Sequence, residues 1–373
     1  LAAERKEIED LRRPQSFQTS LVMQERPAEN PRRTFIHNRG EWTQPTEAVE
    51  PAVLSILNPL PPGAPKNRLG FARWLVSREN PLTARVIVNR TWATFFGRGI
   101  VKTQEDFGFQ GSAPSHPQLL DWLAVRFMDD GWSSKKLHRL IITSETYKQS
   151  SKSIAAAEEK DPENKLLWRG PRLRLDAEEV RDAALRSASL LSEKMLGPSV
   201  YPPQPASVTT EGTYGAMGWN ASSGEDRYRR SLYTFAKRTA PFAFANTFDA
   251  PSGEQCIVRR DKSNTPLQAL SLLNDVTIIE AAQALGKRLA DLPGTSEQRI
   301  QEAFLRCFTR PPEAVELSAV MEFFQKQEKR FGAAPEVAKQ LAGQGPAEST
   351  ITRAAWTAVA RALMNMDEFV TKN

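Results

Sequence analysis

The 373-residue chain is 40% hydrophobic and 25% charged, the balance of a globular protein with two or three domains, or one large domain with satellites. Its net charge of +6 is small and dispersed among matching acids, so nucleic acid is the weakest class of partner, and no apolar run approaches the ~20 residues that span a bilayer. Two cysteines without a CxxC or CxxCH pattern, and only three histidines, argue against a structural zinc site, a His-rich metal centre or haem attached within this chain.

The chain starts at Leu1 without a visible signal peptide and reads as the C-terminal part of a longer protein. Residues 1–20 carry a short charged helical pattern and a polar linker. From Leu21 to Leu57, short β-type runs broken by Gly and Pro predict a small strand unit with Asn38-Arg39-Gly40 as its turn, so residues 1–58 form a charged helix plus a β-rich unit. Pro59-Leu-Pro-Pro-Gly-Ala-Pro65 is incompatible with helix and marks residues 59–66 as an extended linker. Beyond it, Leu69, Ala72, Leu75 and Val76 share one helical face, and a second helix runs from Thr83 to Phe96 and stops at Gly97. Ser115, boxed by Gln118, starts a third helix that ends at Gly131. Ser133 or Ser134 starts a fourth, with Leu137, Leu140, Ile141 and Tyr147 facing inward. Residues 150–168 read as polar surface.

A capping box of Asp176 and Glu179 opens a helix expected to reach Leu196, where Gly197-Pro198 stops it. Residues 206–230 form a Gly/Ser/Thr-rich loop long enough to be functional, and Arg230–Lys237 reads as a strand. In the tail, Ile300, Ala303, Phe304, Cys307 and Phe308 make an apolar stripe, and further helices cover about 312–330, 335–342 and 350–369. The expected fold is mainly α: one multi-helix domain over residues 67–373, a small β-rich N-terminal unit, and a few short strands, including one near 231–236.

Candidate chemistry concentrates between Phe248 and Asn274. Asp249, Glu254, Cys256, Arg259, Arg260 and Asp261 crowd a short irregular segment, followed by a helix start with Thr265 as N-cap, Pro266 in the first turn and Gln268 completing a capping box. The run Leu267, Leu270, Leu272 and Leu273 then pins that segment beside a buried helix, the setting in which loop residues tend to be functional. Asp249 and Glu254 can serve as a general acid/base pair, since glycoside chemistry wants carboxylates ~5–10 Å apart, or as salt-bridge partners that orient Arg259, Arg260 or Arg230. Asp106 and His116 flank a Gly-rich turn and can form a carboxylate–imidazole couple; the favoured reading is a loop staple, with Asp106 accepting backbone N–H bonds and His116 in the first turn of a helix. Cys256 is either a thiolate favoured by Arg259 and Arg260 or a small buried residue, and a disulfide to Cys307 stays open. Arg172 and Arg174, with Arg90, Arg229 and Arg230, suit an anionic group such as sulfate or carboxylate or bridge segments through carboxylates. Trp219 and Tyr214, in the Gly-rich loop, are candidates for an exposed sugar-stacking platform, whereas Trp92 and Trp122 fall in helical patterns and belong to the core.

Several phrases pass beyond composition: Asn89-Arg-Thr-Trp-Ala-Thr-Phe-Phe-Gly97, Glu105-Asp-Phe-Gly108, Pro114-Ser-His-Pro-Gln-Leu-Leu-Asp-Trp122, Arg174-Leu-Asp-Ala-Glu-Glu-Val-Arg-Asp182, Arg229-Arg-Ser-Leu-Tyr, Asn264-Thr-Pro-Leu-Gln-Ala-Leu and Asn365-Met-Asp-Glu-Phe369. Together, over about residues 20–370, they strongly resemble the domain-of-unknown-function family 1553, found at the C-terminus of large planctomycete and verrucomicrobial proteins. The resemblance implies an extracytoplasmic (periplasmic or cell-surface) protein with an upstream c-type cytochrome domain, and a role near polysaccharide use or electron transfer. It supplies no catalytic residues and places any haem c in the upstream domain. The leading expectation is an accessory or scaffold domain that holds the upstream domains of its own polypeptide and presents an acidic or sulfated polysaccharide. The second is a carbohydrate-active enzyme with Asp249, Glu254, Asp106 and His116 around one cleft. Convergence of those four side chains separates the two.

Overall fold

The computed structural model describes residues 20–27, 29–30, 32–205, 218–238 and 240–372; the charged helix expected in the first twenty residues and Tyr214 lie outside them. Strands β1 (Thr34–His37) and β2 (Pro45–Val49) pair antiparallel. The expected turn joins them: Arg39 and Gly40 take left-handed φ angles of 50° and 80°. Nearly every residue of this hairpin is exposed.

The Pro-rich segment packs against the helix that follows, α1 (Arg68–Leu75). Asn58 O accepts the Trp74 indole N–H at 2.6 Å, and a Cβ at Gly70 would meet Pro65 O at 1.8 Å. Gly70 and Trp74 are therefore the buried face of α1, while Leu69 and Val76, expected to face inward, are about half exposed. The linker approaches the side where glycine lets main chain touch main chain, and that close approach overrides the apolar pattern.

Four helices build the first buried cluster: α2 (Thr83–Phe96), α3 (Pro117–Asp129), α4 (Ser134–Ile142) and α5 (Glu145–Lys148). Asn80 Oδ1 takes the amides of Leu82 and Thr83 to start α2, and Gly97 in the left-handed region ends it. The expected Ser115–Gln118 box does not form, because the Ser115 amide and hydroxyl both donate to Ile100 O; His116 takes the N-cap position and Pro117 the first turn. The buried face of α3 carries Leu120, Leu123, Ala124 and Phe127, so Trp122 is turned outward, unlike Trp92 in the core.

After α6 (Ala155–Lys160) and β3 (Leu173–Arg174), the second cluster is made by α7 (Ala177–Ser187), α8 (Ala243–Thr247), α9 (Pro266–Asn274), α10 (Val276–Asp291), α11 (Ser296–Phe308), α12 (Ala314–Ala333), α13 (Pro335–Ala342) and α14 (Thr350–Met364). The Asp176–Glu179 capping box is present. Helix α7 ends nine residues before Leu196 because Ser189 turns left-handed at φ 59°, and the amides of Leu190 and Leu191 return to Leu185 O. Ser231–Tyr233 is a 3-10 turn rather than a strand. The chain ends by pairing β4 (Thr371–Lys372) antiparallel with β3, and Lys372 Nζ sits 4.1 Å from the Tyr147 ring centroid, which ties the tail to the first cluster. The fold is mainly α, with two small two-stranded sheets.

The tightest helix pair is α10 against α14, where small residues (Ala281, Ala282, Gly286; Ala354, Ala355, Ala360) are fully buried. A Cβ on Gly286 would lie 2.6 Å from Thr357 N. Gly286→Ala is therefore expected to lower stability by about 1–3 kcal/mol through overpacking, although alanine is the better helix former by ~1 kcal/mol. Urea unfolding of the two proteins checks it; an unchanged or raised midpoint would mean the seam opens without cost.

Candidate functional site

Helix α7 carries a charged residue on its buried face. Arg181 lies four residues after Ala177 and three before Ala184, both core, and is 1% exposed. Its Nη1 donates to Arg229 O (2.9 Å) and Ser231 Oγ (3.2 Å), and its Nη2 donates to Arg227 O (3.0 Å). Next to it, Asp182 Oδ1 accepts the Ser231 amide at 2.8 Å. Burial pulls the Arg181 pKa down, opposed by Asp182, Asp275 and Glu280; a guanidinium nevertheless keeps its proton, so the carbonyl acceptors are obligatory.

The segment so captured is fastened twice more. Arg227 makes a bidentate pair with Glu280 on α10 at 3.0 and 2.5 Å, and that hydrogen bonding holds its pKa above the ordinary arginine value. Arg229, also 1% exposed, donates to the carbonyls of Pro198, Lys194 and Leu196 and stacks 3.8 Å over the Tyr233 ring. With residues 227–233 pinned at both ends, a 3-10 turn replaces the expected strand.

This arrangement encloses an open cleft of about 1210 Å³, lined by α7, by residues around Met195, Arg230, Leu232 and Phe235, and by Phe242 and Phe244 at α8. Its ionic rim is largely self-paired: Arg260 grips Glu178 at 2.6 and 3.1 Å, and Arg186 meets Glu193 at 2.5 Å. Arg230 is exposed and, among the described residues, has no side-chain hydrogen bond or ion pair. Leu232 and Met195 beside it are 69% and 61% exposed.

The stretch Phe248–Asn274 folds around Gln268. Thr265 caps α9 as expected, but the Gln268 side chain turns inward instead of closing the capping box. Its Nε2 donates to Thr247 O, Ser263 Oγ and Asp249 Oδ2 at 3.1, 3.1 and 3.4 Å, and its Oε1 accepts Arg174 Nη2 at 2.7 Å. Asp249, with φ 61°, spends its carboxylate on the Ser263 amide and hydroxyl, both at 2.7 Å. Glu254 and Arg259 are exposed and make no ion pair among the described residues. The expected network of Asp249 and Glu254 with Arg259, Arg260 or Arg230 is thus absent. The carboxylates that hold Arg260 are Glu178 and Asp176 of α7, because this loop crosses the α7 N-terminus, where Lys262 also reaches Asp176. Arg172 and Arg174 bridge to Asp367 near the chain's end, at 2.5 and 3.6 Å.

None of the four acid/base candidates lines the cleft. Asp106 closes its own turn by accepting the Gly108 amide at 2.7 Å, while His116 Nδ1 lies 3.0 Å from Ser115 Oγ in the first cluster. Trp219, expected as an exposed platform, is half-buried: it stacks on Phe242 at 5.8 Å and 3°, meets Tyr201 edge-on, and donates to Pro202 O. Cys256 is exposed and Cys307 partly buried, both as free thiols. Among the described residues no three His, Cys, Asp or Glu side chains form a metal-binding group, and no helix is long and apolar enough to cross a membrane.

Both arginine-bearing phrases, Arg174–Asp182 and Arg229–Tyr233, thus meet at one place. A family model described as PSD1, protein of unknown function (DUF1553), matches residues 67–324. The chain belongs to the DUF1553 family. The matched stretch of this DUF1553 chain contains the first cluster and every residue of the Arg181 cage, and stops before α14 completes the second core. No curated protein and no solved structure matches the chain.

The two thiols are expected to react very differently. Burial pushes the Cys307 thiol up to about 12, which keeps it protonated at neutral pH. Maleimide at pH 7.5 is therefore expected to label the folded protein once, on Cys256, and the urea-unfolded protein twice. Peptide mass mapping reads the sites; rapid labelling of Cys307 in the folded chain would contradict its burial.

Proposed function

We propose that this DUF1553 chain is a non-haem accessory and scaffold domain of an extracytoplasmic, cytochrome c-linked protein, in which the cleft beside α7 engages an acidic or sulfated polysaccharide. In this reading haem c belongs to an upstream domain of the same polypeptide, and that domain is the second partner. The observation that carries the reading is the absence of the candidate catalytic groups from the cleft lining: Asp249 is taken up by Ser263 and Asp106 by its own turn, and neither Glu254 nor His116 lines the cleft. A carboxylate already saturated by donors is a poor general base. By contrast, the cleft joins an exposed guanidinium, Arg230, to the apolar surface of Leu232, Met195 and Phe235. A sugar ring packs its apolar face on such a surface, and its sulfate or carboxylate takes the charge-assisted donors of arginine.

Affinity electrophoresis through gels carrying neutral or sulfated polysaccharide tests this. The sulfated gels are expected to retard wild type more than the neutral ones, Arg230→Gln is expected to run markedly faster there, and no reducing ends should accumulate. Equal mobility of Arg230→Gln, or a slow release of reducing ends that disappears in Glu254→Gln, would overturn the reading and favour a carbohydrate-active enzyme.

A further inference from the structure

A second pocket, of about 240 Å³, sits between the first helical cluster and the segment that leads into β3. We propose that it is a binding site for an oxyanion: a sulfate, phosphate or carboxylate group. The site is separate from the cleft beside α7 and shares no lining residue with it.

Its charge is one-sided. Arg98, Lys165, Arg169 and Arg172 line it against a single carboxylate, Glu163. Glu163 is shared by two of these cations, Arg98 at 2.5 Å and Lys165 at 3.5 Å, and Arg172 reaches out to Asp367, which Arg174 also approaches. Arg169 has no carboxylate at all among the described residues; its Nε is buried without an acceptor, as are those of Arg181, Arg229, Arg353 and Arg361, but of these five only Arg169 lines the pocket. A buried charged donor left without an acceptor is costly, and an anion in the pocket would relieve that cost.

The main chain that carries these donors is also held in place in advance. Asn164 fixes the main chain of Arg169 from both sides, giving its Nδ2 to Arg169 O and accepting the Arg169 amide. Asp161 accepts the amides of Lys165 and Leu166, whose bonds hold its carboxyl below the ordinary carboxylate range, and its carbonyl accepts the Trp168 indole N–H. The Arg169 guanidinium rests 5.1 Å from the Trp168 ring centroid. Trp92, Phe96, Leu167 and Leu173 supply the apolar part of the lining, and a pocket that size holds far more than one water. Guanidinium forks beside apolar walls suit oxyanions with several acceptor oxygens.

Isothermal titration of the whole chain with sodium sulfate, sodium phosphate, sodium acetate and a short sulfated oligosaccharide, at ionic strength fixed with chloride, tests the site. A saturable heat with at least one of these probes is expected. Arg169→Gln is expected to weaken that probe by about tenfold, the worth of a hydrogen bond to a charged group. The charge reversal Lys165→Glu, at an exposed position, should weaken it as well, and covers the case in which Arg169→Gln fails to fold by circular dichroism. Arg169→Gln should weaken the inorganic anions by the same factor in the wild-type and the Arg230→Gln backgrounds, so this site and the polysaccharide reading fail independently. Tighter binding of the oligosaccharide than of inorganic sulfate would assign the anion to a sulfate ester; the reverse order would assign it to a free ion. No saturable heat with any probe, or an unchanged affinity in both Arg169→Gln and Lys165→Glu, would overturn the proposal.

Discussion

A guanidinium that cannot shed its proton must be surrounded by acceptors when it is buried, and Arg181 is buried almost completely. Helix α7 cannot satisfy it, because the helical carbonyls are already bonded within the helix. The acceptors come from the irregular segment 227–231, and the Asp182 bond to the Ser231 amide fixes its register. From that requirement follow the 3-10 turn after Arg230, the stacking of Arg229 on Tyr233, the tie through Arg227 to α10, and one wall of the cleft. A third arginine, Arg353 on α14, is buried in the same manner against Pro346 O and Ser349 Oγ. The chain is rich in proline, with 26 residues, so many main-chain carbonyls lie outside regular structure, and buried arginines give several of them partners.

Periodicity and capping rules carry far in this sequence because they depend on near neighbours. Thr83–Phe96 and Pro335–Ala342 have the expected bounds, the Asp176 box forms, and the Asn38–Gly40 turn adopts the left-handed angles its residues favour. The misreadings share a cause, which is competition from a distant partner. Ser115 is diverted to Ile100 O, Gln268 to Arg174 and Thr247, the face of α1 to Pro65, and residues 231–233 to Arg181. Trp122 is different: it lies one step off the buried face of α3, and an aromatic inside a helical pattern gives no sign of which side it takes without the helix phase. Arg181 is not singled out by the sequence: it shares a helical face with Ala177 and Ala184, but two small residues do not by themselves mark a buried face.

The same competition bears on function. Asn89, in one of the identifying phrases, is wholly buried and grips the Val101 amide and carbonyl at 2.8 and 3.0 Å, while Gly99 fits tightly against its side chain. Arg181, Asp182, Arg229 and Ser231 join two more phrases, and Gln268 with Arg174 joins another pair. The residues by which the DUF1553 family is recognised here thus encode how irregular segments dock on helices. Polar residue types in a loop looked like chemistry from the sequence; placed in the fold, Asp106, Asp249, Arg174, Arg229 and Arg260 are packing devices, while Arg230, Arg259 and Glu254 are exposed and make no ion pair among the described residues.

Native-state amide hydrogen exchange tests the central claim that the Arg181 cage locks the cleft-forming segment to the core. The Ser231 amide, and those of Val200 and Phe235 that bond across to Tyr233 O and Val200 O, should exchange as slowly as amides in the middle of α10, opening only with the whole fold. Exchange of these three amides at rates typical of an exposed loop, with α10 still protected, would show that the segment opens on its own and that the cage does not set the architecture.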